Sequence, residues 1–316
     1  MGERFYVSAP PHIRSKYDAR YIMHQVTIAL IPPTIAGIIF FGGRAILILL
    51  ISIASSVLWQ RLVLYIKGER RPLDGSELVT GLLLGLNLSP LVPWWIPIIG
   101  TFVAIVLAKE LFGGLGFNIF NPALIARAFL VVSWPMEMTT WMFPYSATQA
   151  TPLSGITQAT PLTLLKLQHT YTPYINLFLG NRGGCIGETS VLALLIGAGY
   201  LFYKGIIDWK IPIPYIFTVG ILALIFRQDP LFHIMAGGLI LGAFFMATDY
   251  TTTPITKPAR VIFGIGCGII TILIRLFGGY PEGVSFSILF MNAMTPLLDR
   301  WTIPKPFGYK TLGRNV

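Results

Sequence analysis

The chain has 316 residues, of which 54% are hydrophobic and only 11% charged, with a formal net charge of +10. A soluble domain carries about 25% charged residues, so this composition excludes a water-exposed globule of this length and puts the bulk of the chain in a bilayer. The positive charge is spread between apolar segments without an aromatic-interleaved basic stripe, which excludes nucleic-acid binding as the reading.

Residues 1–20 hold Arg4, Arg14, Lys16 and Arg20 and lack an apolar core with a small-residue cleavage site, so they read as a cytoplasmic N-terminal segment rather than a signal peptide. Five apolar segments of near-spanning length follow at 21–41, 45–66, 76–91, 94–113 and 119–134, close to the ~20 residues that a bilayer requires. A polar interruption occupies 135–185. Five more segments then lie at 186–203, 211–226, 231–249, 259–277 and 283–298, before a basic tail at 299–316. The third segment ends in Asn87-Leu88-Ser89-Pro90 and the eighth in Thr248-Asp249, so both are expected to stop at polar kinks. With 32 glycines and 23 prolines the apolar stretches are interrupted often, which membrane bundles tolerate where the backbone is buried in protein.

Orientation follows from Lys and Arg, which accumulate in cytoplasmic loops. One side receives the N-terminal four, then Arg61, Lys67, Arg70, Arg71 and Lys109, then Lys204, Lys210, Lys257 and Arg260, and finally Arg300, Lys305, Lys310 and Arg314. The other side receives only Arg44, Lys166, Arg182, Arg227 and Arg275, with Arg127 inside a span. Both termini are therefore expected to be cytoplasmic and the 135–185 loop extracytoplasmic.

The halves repeat. Leu111-Phe112-Gly113-Gly114 in the fourth segment matches Leu276-Phe277-Gly278-Gly279 in the ninth. Residues Phe117 to Ala123 are loosely echoed by Phe286 to Ala293. Five spans per copy is odd, so the second copy must be inverted, an arrangement that places binding sites where paired interrupted segments meet. The expected fold is an all-α polytopic membrane protein of about ten transmembrane helices in two inverted five-helix repeats, 21–134 and 186–298.

The polar loop carries the most distinctive residues. Ser154, Gly155-Ile156, Thr157, Gln158 and Ala159-Thr160 resemble the acceptor site at which a flavin transferase joins FMN, through its phosphate, to a threonine hydroxyl. The pattern makes Thr160 the candidate attachment point. Thr148 to Leu153 duplicates Thr157 to Leu162, so Thr151 competes, but Tyr145 stands where the pattern wants Asp or Ser, whereas Ser154 precedes Thr160 at the same spacing. A threonine- and proline-rich loop without a cofactor is the plain compositional alternative.

The ten-span layout, Asp74 to Gly81 at the third segment, Gly116 to Ala123 at the fifth and Thr160-Pro161-Leu162 in the loop together resemble the family of D-type membrane subunits of the Rnf complexes. The paralogue is the B-type membrane subunit of the sodium-translocating NADH:quinone oxidoreductase. The resemblance covers nearly the whole chain, although Ser154 stands where many relatives have Asp. It implies a flavin-carrying subunit of a bacterial or archaeal inner-membrane translocase that couples electron transfer between ferredoxin and NAD to Na⁺ or H⁺ movement. The implied partners are the other membrane and peripheral subunits, a flavin transferase during maturation, and lipid.

The resemblance also implies a noncovalent riboflavin near Asn118 and Asn121, which would share a face if helical, with helix capping as the alternative. Asp249 is a further candidate, as acids within spans are functional hypotheses, against simple solvation at the interface. Glu110 has the same ambiguity. The two cysteines cannot build an iron–sulfur centre alone, and His12, His24, His169 and His233 show no metal-ligand spacing. No nicotinamide-binding glycine fingerprint is visible. Two rival readings stand beside the translocase: a channel or secondary transporter without a redox cofactor, and a redox-silent scaffold.

Overall fold

The computed structural model describes residues 18–69, 72–142, 144 and 159–304. Asp18 opens the first helix by accepting from the Ala19 amide at 2.8 Å. Helix α1 (Ala19–Ala29) and α2 (Ile31–Phe41) form one apolar run, and the Pro32-Pro33 pair falls in the first turn of α2, where the missing amide hydrogens are not needed. Next come α3 (Gly43–Ile66), α4 (Ser76–Leu86) and α5 (Trp95–Phe102). Helix α5 continues through a π-helical turn at Val103–Leu107 and a 3₁₀ turn at Glu110–Phe112. Helix α6 (Pro122–Ser133) closes the first half.

Among its described residues the 135–185 stretch, expected as loop, contains three short helices: α7 (Pro135–Thr139), α8 (Pro161–Gln168) and α9 (Tyr174–Leu179). Each starts at or next to a proline, which presets the helical φ without sacrificing an intrahelical bond. The second half holds α10 (Val191–Tyr203), α11 (Pro212–Ile225), α12 (Pro230–Met235), α13 (Leu239–Leu241) with a π turn at Gly242–Met246, α14 (Lys257–Phe277) and α15 (Val284–Thr302).

Among the described residues, four helical runs are long and apolar enough to cross a membrane: Ala19–Phe41, Gly43–Ile66, Trp95–Phe112 and Lys257–Phe277. Helices α4, α6, α10 and α11 are apolar but shorter. Several expected boundaries shift. The third segment is helical only to Leu86, because Asn87 caps it and Pro90 cannot extend it. The fifth becomes helical at Pro122 rather than at 119, and the sixth at Val191 rather than at 186. The eighth is broken at Ala236–Gly238, where Gly237 adopts φ +67°.

Helix α3 packs on α4 and α5, and α5 on α6; in the second half α11 packs on α12 and α14, and α14 on α15. The halves meet where α1 and α2 touch α10 and where α6 touches α15. Glycine sets the closest contacts: a Cβ on Gly81 would stand 2.8 Å from the Ser52 carbonyl oxygen, and one on Gly264 2.6 Å from that of Ile211. Leu84, Leu86, Ile96, Tyr215 and Phe263 fill the interior, whereas Ile39, Leu50, Phe217 and Ile225 are exposed on the outer surface. That apolar exterior suits hydrocarbon and not water.

Candidate functional site

Thr160 is the N-cap of α8. Its hydroxyl accepts from the Thr163 amide at 3.3 Å and lies 2.8 Å from the Thr163 hydroxyl, while Pro161 takes the first helical position. The Thr-Pro-x-Thr sequence dictates this start, since threonine caps and proline tolerates the first turn. Only 3% of Thr160 is exposed, yet it lines a cavity of about 470 Å³ together with Trp141, Tyr280, Phe286, Arg127 and Glu282. Ala159 lies on the same wall. Ser154, Gly155 and Thr157, and the competing Thr151, lie outside the described residues.

Arg127 reaches the cavity from α6. One guanidinium nitrogen donates to Asn87 Oδ1 at 2.7 Å, where α4 ends, and another to Glu282 Oε2 at 2.5 Å, ahead of α15. The same nitrogen lies 3.5 Å from Cys185 Sγ. A charge this deeply buried requires such partners. Sequence reasoning placed Arg127 inside a span and gave it no role, although an intramembrane arginine was itself the signal. It also missed Arg182, which donates to the Thr189 and Glu188 carbonyls at 3.2 and 2.7 Å and folds the turn before α10.

The residues at the site fit a flavin phosphoester at Thr160. A phosphate there would sit at the N-terminus of α8, where the helix dipole favours an anion. The cavity falls in the size range of small-molecule sites, and its aromatic walls suit a planar ring.

Asn118, Asn121 and Asp249 are brought together around a separate cavity of about 70 Å³. The two asparagines do not share a helix face, because Asn121 is extended (φ −61°, ψ 119°) and α6 begins only at Pro122. Asn121 caps α6 through Oδ1, accepting from Ala123 and Leu124, and donates to the Met246 carbonyl at 3.2 Å. Asn118 donates to Thr251 Oγ1 at 2.9 Å, while its Oδ1 has no partner among the described residues. Asn292, oriented to donate to the Ile288 carbonyl, accepts from the Asn121 backbone amide at 3.1 Å and joins the same cluster. Asp249 accepts from Thr251 and Thr252.

Glu110 is a structural latch. It accepts from Gln60 at 2.7 Å and from Lys67 at 2.9 Å. Beside it Lys109 donates to Gln60 and to Ser76 Oγ, with Asp74 at 3.9 Å. Burial works to raise the Asp74 carboxyl, but the Lys109 cation and hydrogen bonds from Ser76 hold it below its ordinary value.

Residues 6–308 match the model of the NQR2, RnfD, RnfE family. The chain is 48% identical over 310 residues to the D-type subunit of the Na⁺-translocating ferredoxin:NAD⁺ oxidoreductase complex of Acetobacterium woodii, covering 96% of this chain and 95% of the relative. It is 46% identical to the D-type subunit of the proton-translocating ferredoxin:NAD⁺ oxidoreductase complex of Clostridium ljungdahlii, with 96% of each covered. Identity to the D-type subunit of the ion-translocating oxidoreductase complex of Stutzerimonas stutzeri is 41%, over 96% of this chain and 95% of that one.

Proposed function

The chain belongs to the NQR2, RnfD, RnfE family, and from that premise we propose that it is the D-type membrane subunit of an ion-translocating ferredoxin:NAD⁺ oxidoreductase complex, with FMN esterified to Thr160. The observation that carries the flavin reading is the position of Thr160: it caps α8 on the wall of a 470 Å³ aromatic cavity. Bound there, FMN would supply one- and two-electron chemistry. Thr160 would hold it by its phosphate and keep it at a high effective concentration beside its redox partners. Tyr280, Phe286 and Trp141 would flank the ring, and Arg127 would present a buried cation to it.

The inverted-repeat reading draws support from matching contacts. Helix α3 packs on α4 and α5, and α5 on α6, as α11 packs on α12 and α14, and α14 on α15, whereas the packing of α4 on α5 and α6 is not matched at α12. The two Leu-Phe-Gly-Gly matches fall at comparable ends, at the close of the 3₁₀ turn that follows α5 and at the close of α14. On the expected topology the termini are cytoplasmic and Thr160 faces outward, where an exported transferase reaches it. The test is flavin fluorescence of the purified chain after denaturation and gel separation. Fluorescence that stays with the chain supports the redox reading; its absence returns the transporter or scaffold reading.

A further inference from the structure

Helix α8 separates two cavities. Thr160 and Thr163 line the one described above, whereas Leu162, Leu165 and Lys166, spaced for the other face of the helix, line a second of about 220 Å³. Lys166, His169, His233 and Arg275 converge on that second cavity, and no acidic residue lines it among the described residues. His169 ends α8 in a left-handed conformation (φ 54°) at the exposed mouth. His233 and Arg275 are 2% and 4% exposed and form the floor.

Lys166 and Arg275 are held by carbonyl oxygens, and neither forms a direct ion pair among the described residues. Arg275 donates to the His233 carbonyl at 2.5 Å and the Ala236 carbonyl at 3.0 Å, which closes the broken helix α12. Lys166 donates to the Gly278 carbonyl just past α14. The nearest carboxylates are held elsewhere: Glu282 accepts from Arg127 and Glu188 from the Cys185 amide, each through one oxygen, and Asp229 accepts from Tyr174 and, through its other oxygen, the Phe232 amide. Arg275 Nε and both ring nitrogens of His233 have no hydrogen-bond partner among the described residues. Buried polar groups are nearly always satisfied, so the Arg275 Nε–H and the one N–H of a neutral His233 ask for an outside partner with acceptor oxygens. Placement adds a second reason. Basic residues are scarce on the extracytoplasmic side of membrane proteins, yet two of the five expected there, Lys166 and Arg275, line this one cavity.

We infer that the funnel formed by Lys166, His169, His233 and Arg275 binds a phosphate group. A tetrahedral oxyanion presents several acceptors at once and matches guanidinium, ammonium and imidazole donors arriving from different elements. The phosphate comes either from a lipid headgroup or from free inorganic phosphate. Exposed Phe226 and Phe277, edge to face at 5.7 Å, lie two positions from the lining residues Gln228 and Arg275 and offer an apolar border for acyl chains.

The test uses the purified full-length chain, its Thr160→Ala form and the variants Lys166→Gln and His233→Phe, which spare the Arg275 contacts that hold α12. Native mass spectrometry after titration with phosphatidylglycerol reads the lipid source. Equilibrium dialysis of delipidated protein against labelled inorganic phosphate reads the free source. One bound equivalent in either arm, retained in Thr160→Ala and weakened at least tenfold in Lys166→Gln and His233→Phe, is the expected result. Retention in Thr160→Ala separates this site from a phosphate carried on the threonine. Binding in neither arm, or binding unchanged by both variants, overturns the inference.

Discussion

Arg127 on α6 and Glu282 ahead of α15 form an ion pair at 2.5 Å on the wall of the cavity that Thr160 lines, joining the last helix of one half to the entry of the last helix of the other. Through its other nitrogen the same guanidinium holds Asn87, where α4 stops. One side chain thus links the candidate flavin cavity to the break in the bundle.

If the cavity holds the Thr160-linked flavin, the two partners of this pair act on it with opposite sign. A nearby cation favours the more negative, reduced ring. Arg127→Gln should therefore lower its midpoint potential and Glu282→Gln raise it, each by about 30 mV or more, a tenfold change in the two-electron equilibrium. Redox titration followed by flavin absorbance measures both. Shifts of the same sign would mean that the substitutions only disturb the cavity.

The pair also bears on stability. Removing one member of a buried pair leaves the other uncompensated and costs about 3–5 kcal/mol. The double variant Arg127→Gln/Glu282→Gln should consequently melt closer to wild type than Arg127→Gln alone. Thermal unfolding of the three proteins in detergent checks the order.

Asn121 is expected to act as a cap. Asn121→Ala should destabilise the protein by about 1 kcal/mol or more, the usual loss at an N-cap, and leave flavin on Thr160 unchanged. Measuring melting temperature and bound flavin on one preparation tests this. A flavin that dissociates on denaturation and disappears in Asn121→Ala would instead make the asparagine cluster a second flavin site.

Much of this architecture could be read from the chain because apolar length is a strong signal. The runs Ala19–Phe41, Gly43–Ile66 and Lys257–Phe277 lie within a few residues of the expected segments. Local chemistry was readable as well: Thr160-Pro161 announces a capped helix start, and Asn87 to Pro90 announces a stop. The break at Ala236–Gly238 was missed, since Gly237 and Gly238 sit in an unbroken apolar run and hydropathy does not register a left-handed glycine. Pairings between distant residues were beyond reach. Arg127 and Glu282 are 155 positions apart, and only the packing of α6 on α15 makes them neighbours. The spacing of Asn118 and Asn121 misled for a related reason: it assumed a helix that Pro122 delays.

Asp74 makes a pH-dependent contribution. Its carboxyl is held below the ordinary value in the folded protein, net of burial, by Lys109 and Ser76. Its contribution is thus full above the unfolded value near ~3.9 and fades as pH falls through the lower folded value. Asp74→Asn should accordingly lose less stability than wild type between neutral pH and about pH 3, as read by thermal unfolding across that range. Equal losses would remove Asp74 from the acid response.

Topology can be probed by cysteine labelling, because Cys185 and Cys267 are both buried and make a quiet background. Gln168→Cys at the end of α8 should react with an impermeant thiol reagent in intact cells, and Arg314→Cys should not. The reverse pattern would place Thr160 beyond the reach of an exported transferase.

The central claim, that Thr160 carries FMN, is tested most directly by peptide mass mapping of the purified chain. The account predicts one FMN phosphoester on the fragment containing Thr160, absent from the Thr160→Ala protein. An unmodified Thr160 fragment, a label retained in Thr160→Ala, or a label on Thr151 would contradict it.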